Sequence, residues 1–338
     1  MKLQLRNYPP RAGIRVPAGP MRQLVTELFV RAGHEPGGSV LLADLLVQND
    51  LRCIFSHGTR KLPDYLPLLR RGRINPRPQV RVVDETPTTA VLDGDGGLGY
   101  FPCHQGARLA AAKAAENGVG AVTTRNHFHF GAAGIYSRLA LDRDCIGLAI
   151  SANRFDLSPE ALVLSAASVS PLSIAVPTGK EAPLVLDMGA GLLPYSPELF
   201  SRFPAPFFKS LGLGAVFMAL GGVLAGIWRP ECQQHPAGWL SDQGAFIAAF
   251  AVAHFMEVEE FKREMDRYIG QARAMRPLPG TETAELPGGL EWAWERQNAA
   301  QGIPYSDEHC QLIEEVAGEF GVQTPFAHWQ HTRFALEP

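Results

Sequence analysis

A histidine set between a serine and a glycine, Ser56-His57-Gly58, is followed within one turn by Arg60 and Lys61. The run continues as Leu62-Pro63-Asp64-Tyr65 and on to Arg73-Ile74-Asn75-Pro76. Imidazole titrates near neutrality, so His57 can give or take a proton during a reaction. Gly58 permits a backbone turn that residues with a Cβ resist, which can present the ring at the mouth of a cleft. Ser56 can hydrogen-bond that ring and orient it. The two cations suit a carboxylate, and Arg60 offers a bidentate grip that Lys61 cannot reproduce. Which of the two faces a substrate is left open by the sequence, and the tripeptide alone also fits an ordinary loop histidine.

Three further stretches have residue types that could do chemistry. Gly94-Asp95-Gly96-Gly97-Leu98-Gly99 formally matches the dinucleotide fingerprint G-x-G-x-x-G, after a strand-like run and before a helical one. The following strand closes on Thr124-Arg125-Asn126 rather than on an acid, and Pro102-Cys103-His104 stands between the last glycine and the helix expected from Gln105. These glycines therefore read as a structural turn, with a Rossmann-type enzyme using Gly94 to Gly99 as the competing reading. His127 and His129 alternate as on one strand face, where two metal ligands would sit, but no third ligand follows at a recognisable spacing. No metal is expected. Asp187 closes an apolar strand, Leu184-Val185-Leu186-Asp187-Met188, and either meets a ligand or caps a turn.

The bulk properties bound what these residues can serve. A chain of 338 residues, 46% apolar and 19% charged, can bury a large core in two lobes. The formal net charge of −3 leaves no electrostatic footprint for nucleic acid. The 5 cysteines, Cys53, Cys103, Cys145, Cys232 and Cys310, are odd in number and form no C-x-x-C, which fits reduced thiols in a cytoplasmic protein. The N-terminus lacks the basic-then-apolar pattern of a signal peptide. Ser210 to Trp228 carries no charge and includes Gly222-x-x-x-Gly226, so its length would license a membrane span. Its glycines and its isolation favour a helix buried in the core of an enzyme, with no membrane partner.

The elements that must position these groups follow from periodicity. Helices are expected at 21–32, with Leu24, Leu28 and Phe29 inward, at Ser39 to Asn49 with Ser39 as N-cap, and at Pro63 to Arg71. This reads as an all-helical entry module. From Val80 the period shortens: strands are expected at Val80 to Val83, Thr88 to Leu92, Gly120 to Thr124, Cys145 to Ser151 and Gly244 to Ala253. Helices are expected at Gly134 to Leu141, at Val258 to Ala274, and at Asp307 to Phe320.

As a whole, the run R-x-x-x-SHG-x-x-x-LP-x-Y through G-x-INP resembles the malate/L-lactate dehydrogenase family of NAD(P)-dependent oxidoreductases, which is unrelated to the Rossmann lactate dehydrogenases. Further elements carry the resemblance: Gly94 to Gly99 as D-G-D-x-G-L-G, Arg125-Asn126 through His129-Phe130-Gly131, the strand ending in Asp187-Met188, Lys209 through Gly226, and Leu286-Pro287-Gly288. It spans roughly residues 20 to 320. The resemblance implies an α/β fold that is non-Rossmann, with a central, mainly antiparallel sheet and a helical lobe built from both termini (1–77 with 275–338, around a cofactor-binding core 78–274). It implies interconversion of a small 2-oxo acid, or a cyclic imine carboxylate, with its 2-hydroxy or amino acid by hydride transfer. His57 would then be the proton donor and acceptor, aided by Ser56 and His129, with Arg60 or Lys61 on the substrate carboxylate. His129, Phe130, Gly131, Asp187, Met188, Lys209, Pro287 and Gly288 would border NAD or NADP, the preference being open. A homodimer is implied.

Departures are local. His127 and Phe128 replace small and Asn residues, Ser168-Val169-Ser170-Pro171 stands where the family has G-T-N-P, Ser210 and Met218 replace Gly and Glu, and Gly289 replaces a late Glu. The segment after Asp187, Gly189 to Glu198, is shorter and more apolar than the family's loop; only Glu198 there could serve as an acid beside the histidine. A diverged member with lost or altered catalysis, binding a ligand or joining a complex, is the alternative reading.

Overall fold

The computed structural model describes residues 8–167, 170–233 and 237–336, in two compact units. The first joins Met1–Arg77 to Gln271–Pro338; the second is Pro78–Gly270.

The first unit begins with strand β1 (Ala12–Val16), whose alternation buries Ile14 and Val16 completely. It continues with helices α1 (Ala18–Arg31), α2 (Pro36–Leu51) and α3 (Leu62–Arg70). Leu24, Leu28 and Phe29 of α1 face the core as expected. Helix α2 starts three residues before Ser39, because the Glu35 carboxylate caps it by accepting from the Gly37 and Gly38 amides and Pro36 supplies a ready first residue. Ser39 instead turns its hydroxyl back onto the Glu35 carbonyl at 2.7 Å. Two short 3₁₀ turns, Phe55–His57 and Thr59–Lys61, connect α2 to α3.

The second unit holds β2 (Arg81–Glu85), β3 (Thr89–Asp93), α4 (Tyr100–Asn117), β4 (Val119–His127), α5 (Ala133–Ser137), β5 (Cys145–Asn153), β6 (Pro171–Val176) and β7 (Leu184–Gly189). It continues through α6 (Pro197–Arg202), α7 (Pro204–Phe217), α8 (Pro230–Gln233), β8 (Gln243–Ala251) and α9 (Val258–Arg273). Seven strands form one sheet in the order β2-β3-β4-β8-β5-β6-β7. Every pair is antiparallel except β3 and β4, joined by the crossover helix α4. Small residues allow the layers to close: Gly106, Ala107, Ala110 and Ala114 of α4 are buried, as are Ala245, Ala248 and Ala249 of β8.

The apolar stretch after Lys209 is not a core helix. Helix α7 runs on as a π-helical turn, Met218–Leu224, and packs one face only. Phe207, Ser210, Gly214 and Phe217 are buried while Phe208, Val216, Val223 and Leu224 are each more than half exposed. Among the described residues, Pro204–Leu224 is long and apolar enough to cross a membrane by length and composition, with 33% of its apolar window buried.

The chain then returns to the first unit with α10 (Gly289–Gln301), β9 (Ile303–Tyr305), α11 (Asp307–Glu319) and β10 (Phe334–Ala335). Strands β9 and β10 flank β1, so this unit carries a three-stranded antiparallel sheet beside its helices and is not all-helical. The Arg52 fork grips the Glu295 carboxylate at 2.9 and 2.8 Å, and Asn298 donates to the Leu51 carbonyl at 2.8 Å, tying α10 to the end of α2.

Candidate active site

In the first unit the last turn of α2 shapes the His57 loop. Asn49 Nδ2 donates to the His57 carbonyl at 2.8 Å. The adjacent Asp50 carboxylate, fully buried, takes three donors: the Thr59 amide at 3.1 Å, the Thr59 hydroxyl at 2.6 Å and the Tyr305 hydroxyl at 2.8 Å. Burial pushes the Asp50 carboxyl up to about 7, against the opposing pull of its hydrogen bonds from Thr59 and Tyr305 and of the nearby Arg60 charge. Gly58 lies so close that a Cβ there would stand 1.8 Å from Asp50 Oδ1. Glycine is required at this position by close approach rather than by an unusual φ.

The half-buried His57 ring has Nδ1 3.0 Å from the Ser56 hydroxyl. The two cations separate clearly. Lys61 Nζ pairs with Asp64 at 2.8 Å. Among the described residues Arg60 pairs with the exposed Glu308 at 3.7 Å, beyond hydrogen-bond length, and its buried Nε has no hydrogen-bond partner there. Arg60 therefore keeps donors for an incoming anion. Pro287 is exposed, and Gly288, at φ +92°, is the N-cap of α10, its carbonyl accepting from Trp292 at 3.0 Å.

In the second unit the glycine run is a filled turn. The Gly94 and Gly96 amides donate across to the Arg125 and Asn126 carbonyls at 2.9 Å, and Gly97 donates to the Gly94 carbonyl at 3.0 Å. Helix α4 begins directly after the run at Tyr100, five residues before the expected Gln105. A Cβ on Gly96 would lie 2.5 Å from the Trp239 ring, and one on Gly97 would lie 2.5 Å from Pro78. The amides that hold a pyrophosphate in a Rossmann turn here bond the chain's own carbonyls.

Strand β4 bulges between Thr124 and His127, and Asn126 takes φ +54°. The strand ends at His127, so His127 and His129 do not alternate along one strand face as expected. His127 is a core residue, completely buried, with Nε2 2.9 Å from the Thr124 hydroxyl and Nδ1 2.8 Å from the Phe128 carbonyl. Burial holds its pKa down at about 4, so the ring is neutral, donating from Nδ1 and accepting at Nε2. Among the described residues no cluster of three His, Cys, Asp or Glu side chains could hold a metal.

His129 sits half-buried beyond the strand end. The loop that carries it is tightly held: the Phe130 amide donates to Gln243 Oε1 at 2.9 Å, Tyr136 donates to the Phe130 carbonyl, and Gly131 at φ +87° lies against the Tyr100 ring. Earlier on the same strand, Arg125 Nε and Asn126 Oδ1 are buried without hydrogen-bond partners among the described residues. Asp187 accepts from the Gly134 amide at 2.9 Å, in the first turn of α5, rather than bonding a turn after its own strand in that contact. Met188 is half-buried on β7. Lys209 is exposed and sits inside α7, which starts at Pro204, rather than heading a buried helix.

The shortened segment after β7 is closed by the Leu192 amide donating to Ser210 Oγ at 3.0 Å, and by packing of the Phe207 ring against Tyr195 at 5.9 Å and Phe200 at 5.6 Å. Glu198 is exposed in the first turn of α6. Ser170 is buried with its hydroxyl unpartnered; Ser168 and Val169 lie outside the described residues.

A family model described as malate/L-lactate dehydrogenase matches residues 16–197 and 200–314. The structure is similar to that of malate dehydrogenase from Pyrococcus horikoshii, with a TM-score of 0.79 and 25% identity, covering 96% of this chain and 100% of that one. In sequence it is 28% identical to L-sulfolactate dehydrogenase of Methanocaldococcus jannaschii, over 89% of this chain and 96% of the relative. It is 24% identical to ureidoglycolate dehydrogenase (NAD(+)) of Escherichia coli O157:H7, over 91% and 98%.

Proposed function

The chain belongs to the malate/L-lactate dehydrogenase family, and on that premise we propose that it reduces a small 2-oxo acid, or a cyclic imine carboxylate, with NADH or NADPH, and runs the reverse oxidation. Membership makes it a dehydrogenase; its relatives are named for malate, sulfolactate and ureidoglycolate. The observation that carries the finer reading is the turn from Ser56 to Arg60. It holds a titratable ring and an under-partnered guanidinium three residues apart, on one rigid backbone.

Arg60 binds the substrate carboxylate through its fork, displacing the loose contact to Glu308. His57, with Nδ1 turned to Ser56, uses Nε2 to deliver a proton to the carbonyl oxygen, and takes it back in the oxidative direction. The bound nicotinamide cofactor supplies or accepts the hydride. In the second unit the unpartnered Arg125 Nε and Asn126 Oδ1 fit the polar groups of such a cofactor, beside the His129-Phe130-Gly131 loop. Asp187, Met188 and Lys209 are assigned to the same cofactor. The exposed apolar face of α7 supports a homodimer, which would keep that face from water in a cytoplasmic enzyme.

Consumption of NADH and of NADPH with a panel of 2-oxo acids and cyclic imine carboxylates tests the reading. Saturable turnover with one cofactor and one acid class is expected; cofactor binding without turnover of any panel member would overturn it. Light scattering should give twice the monomer mass.

A further inference from the structure

We propose that Asp50, Thr59 and His309 form a hydrogen-bonded chain that positions His57 and Arg60, making Thr59 and His309 positioning residues of the reaction. The inference rests on the oxidoreductase reading for its kinetic consequence, but not for its geometry.

The Thr59 hydroxyl stands at the centre of the chain. It lies 2.6 Å from Asp50 Oδ2 and 3.0 Å from His309 Nε2, all three groups being buried. The Thr59 hydroxyl donates its proton to Asp50 Oδ2, so the lone pairs of Thr59 Oγ1 accept the Nε2–H of His309. The His309 ring is neutral: burial, aided by the Arg60 charge, lowers its pKa to about 3. Its tautomer is thus fixed by Thr59.

Among the described residues, the titratable and polar groups facing Asp50 are Thr59 and Arg60 from the turn, Tyr305 from β9, and Cys53 just after α2. A buried carboxylate is costly, and apolar side chains of similar volume would pack helix ends at least as well. Here two of the three donors to Asp50 come from Thr59, which lies between the proposed acid and the proposed clamp. Gly58 touches Asp50 Oδ1 and Thr59 is bonded to it twice, so any shift of the carboxylate moves His57 on one side and Arg60 on the other. Rings close the rest: Phe55, two residues before His57, stacks edge-on with His309 at 5.4 Å, and Tyr305 does so at 4.9 Å.

The test compares Thr59→Val, which keeps the shape and removes the hydroxyl, with Thr59→Ser, which keeps the hydroxyl. The full-length protein, labelled on histidine, is titrated by NMR, with His57 assigned from the signal lost in His57→Gln. We expect Thr59→Val to move the His57 signal and its titration midpoint, and to lower kcat/KM for the oxo acid by about tenfold, the loss of one buried hydrogen bond. NADH or NADPH affinity should stay within about twofold, and Thr59→Ser should restore both readouts. A Thr59→Val protein with lower Tm but an unmoved His57 titration overturns the proposal and leaves Thr59 a packing residue; so does a Thr59→Ser protein that matches Thr59→Val. If Thr59→Val does not fold, His309→Gln, which retains an N–H donor, is compared with His309→Leu by the same spectra, and equal spectra overturn the proposal. If the wild type turns over no oxo acid, the oxidoreductase reading falls, while the His57 titration still decides the chain.

Discussion

The turn at His57 and the turn at Gly94 each need glycine for the same reason, yet they differ in the buried groups they leave without a hydrogen-bond partner among the described residues. At Gly58 the close neighbour is a carboxylate, Asp50, which draws the backbone inward while His57 and Arg60 remain half-buried at its edges. At Gly94 to Gly97 the close neighbours are His127, Trp239 and Pro78, and the amides are bonded to Arg125 and Asn126 carbonyls. A fingerprint that reads as a phosphate cradle is instead a packing device. The difference lies in what the close approach leaves unsatisfied: a guanidinium Nε in the first turn, no turn amide at Gly94, Gly96 or Gly97 in the second. Unsatisfied buried donors, more than glycine spacing, mark the place where a ligand belongs.

The contrast can be broken at Gly58 first. Gly58→Ala puts a methyl group into Asp50, and should destabilise the protein by about 3 kcal/mol or more with loss of turnover, read by denaturant titration and by kinetics. Next is the clamp. Arg60→Gln should raise the substrate KM by about 100-fold through the loss of two charge-assisted hydrogen bonds, whereas Lys61→Gln should change it less than about threefold, since only a surface pair with Asp64 is removed. Gly96→Ala tests the other turn. The position has φ +68° and faces Trp239, so a cost of about 1–3 kcal/mol is expected, but the folded fraction should bind NADH or NADPH as tightly as the wild type. A selective loss of cofactor would restore the Rossmann reading.

The smallest effect is one of pH. His127 has its pKa lowered from 6.5 to about 4 in the folded state, so between those values the unfolded chain binds more protons. Its contribution to stability is present above about 6.5 and is lost as pH falls toward 4, with a slope of no more than about 1.4 kcal/mol per pH unit. His127→Gln should flatten that part of a denaturation-midpoint profile.

Much of the fold was legible because helices α1, α4, α9 and α11 show their period or their caps within their own sequence. Strand β1 was not, since Ile14 and Val16 alternate over only a few residues and pair with Tyr305 and Ile303 at the far end of the chain. The start of α2 was misplaced because Glu35, not Ser39, is its cap. At the site, the Ser56 to Lys61 motif stood out, and the choice between Arg60 and Lys61 had a local signal that went unused: Asp64 lies three residues after Lys61, at ion-pair spacing on a helix. The pairing of His127 with His129 on one strand face fails because β4 ends at His127, which is buried in the core. Asp50, Tyr305 and His309 left no local trace; their partner Thr59 lies 250 residues from His309, and only the folded chain brings them together.

The most direct test of the central claim is a comparison of His57→Gln with the wild type, in which nicotinamide fluorescence reports cofactor binding and NADH or NADPH consumption reports turnover of the preferred oxo acid. Cofactor affinity is expected to stay within about twofold of the wild type and kcat to fall by about 10²–10⁴, the usual contribution of a positioned acid–base group. Turnover retained in His57→Gln, or cofactor binding lost with it, would contradict the assignment of the proton to the first turn.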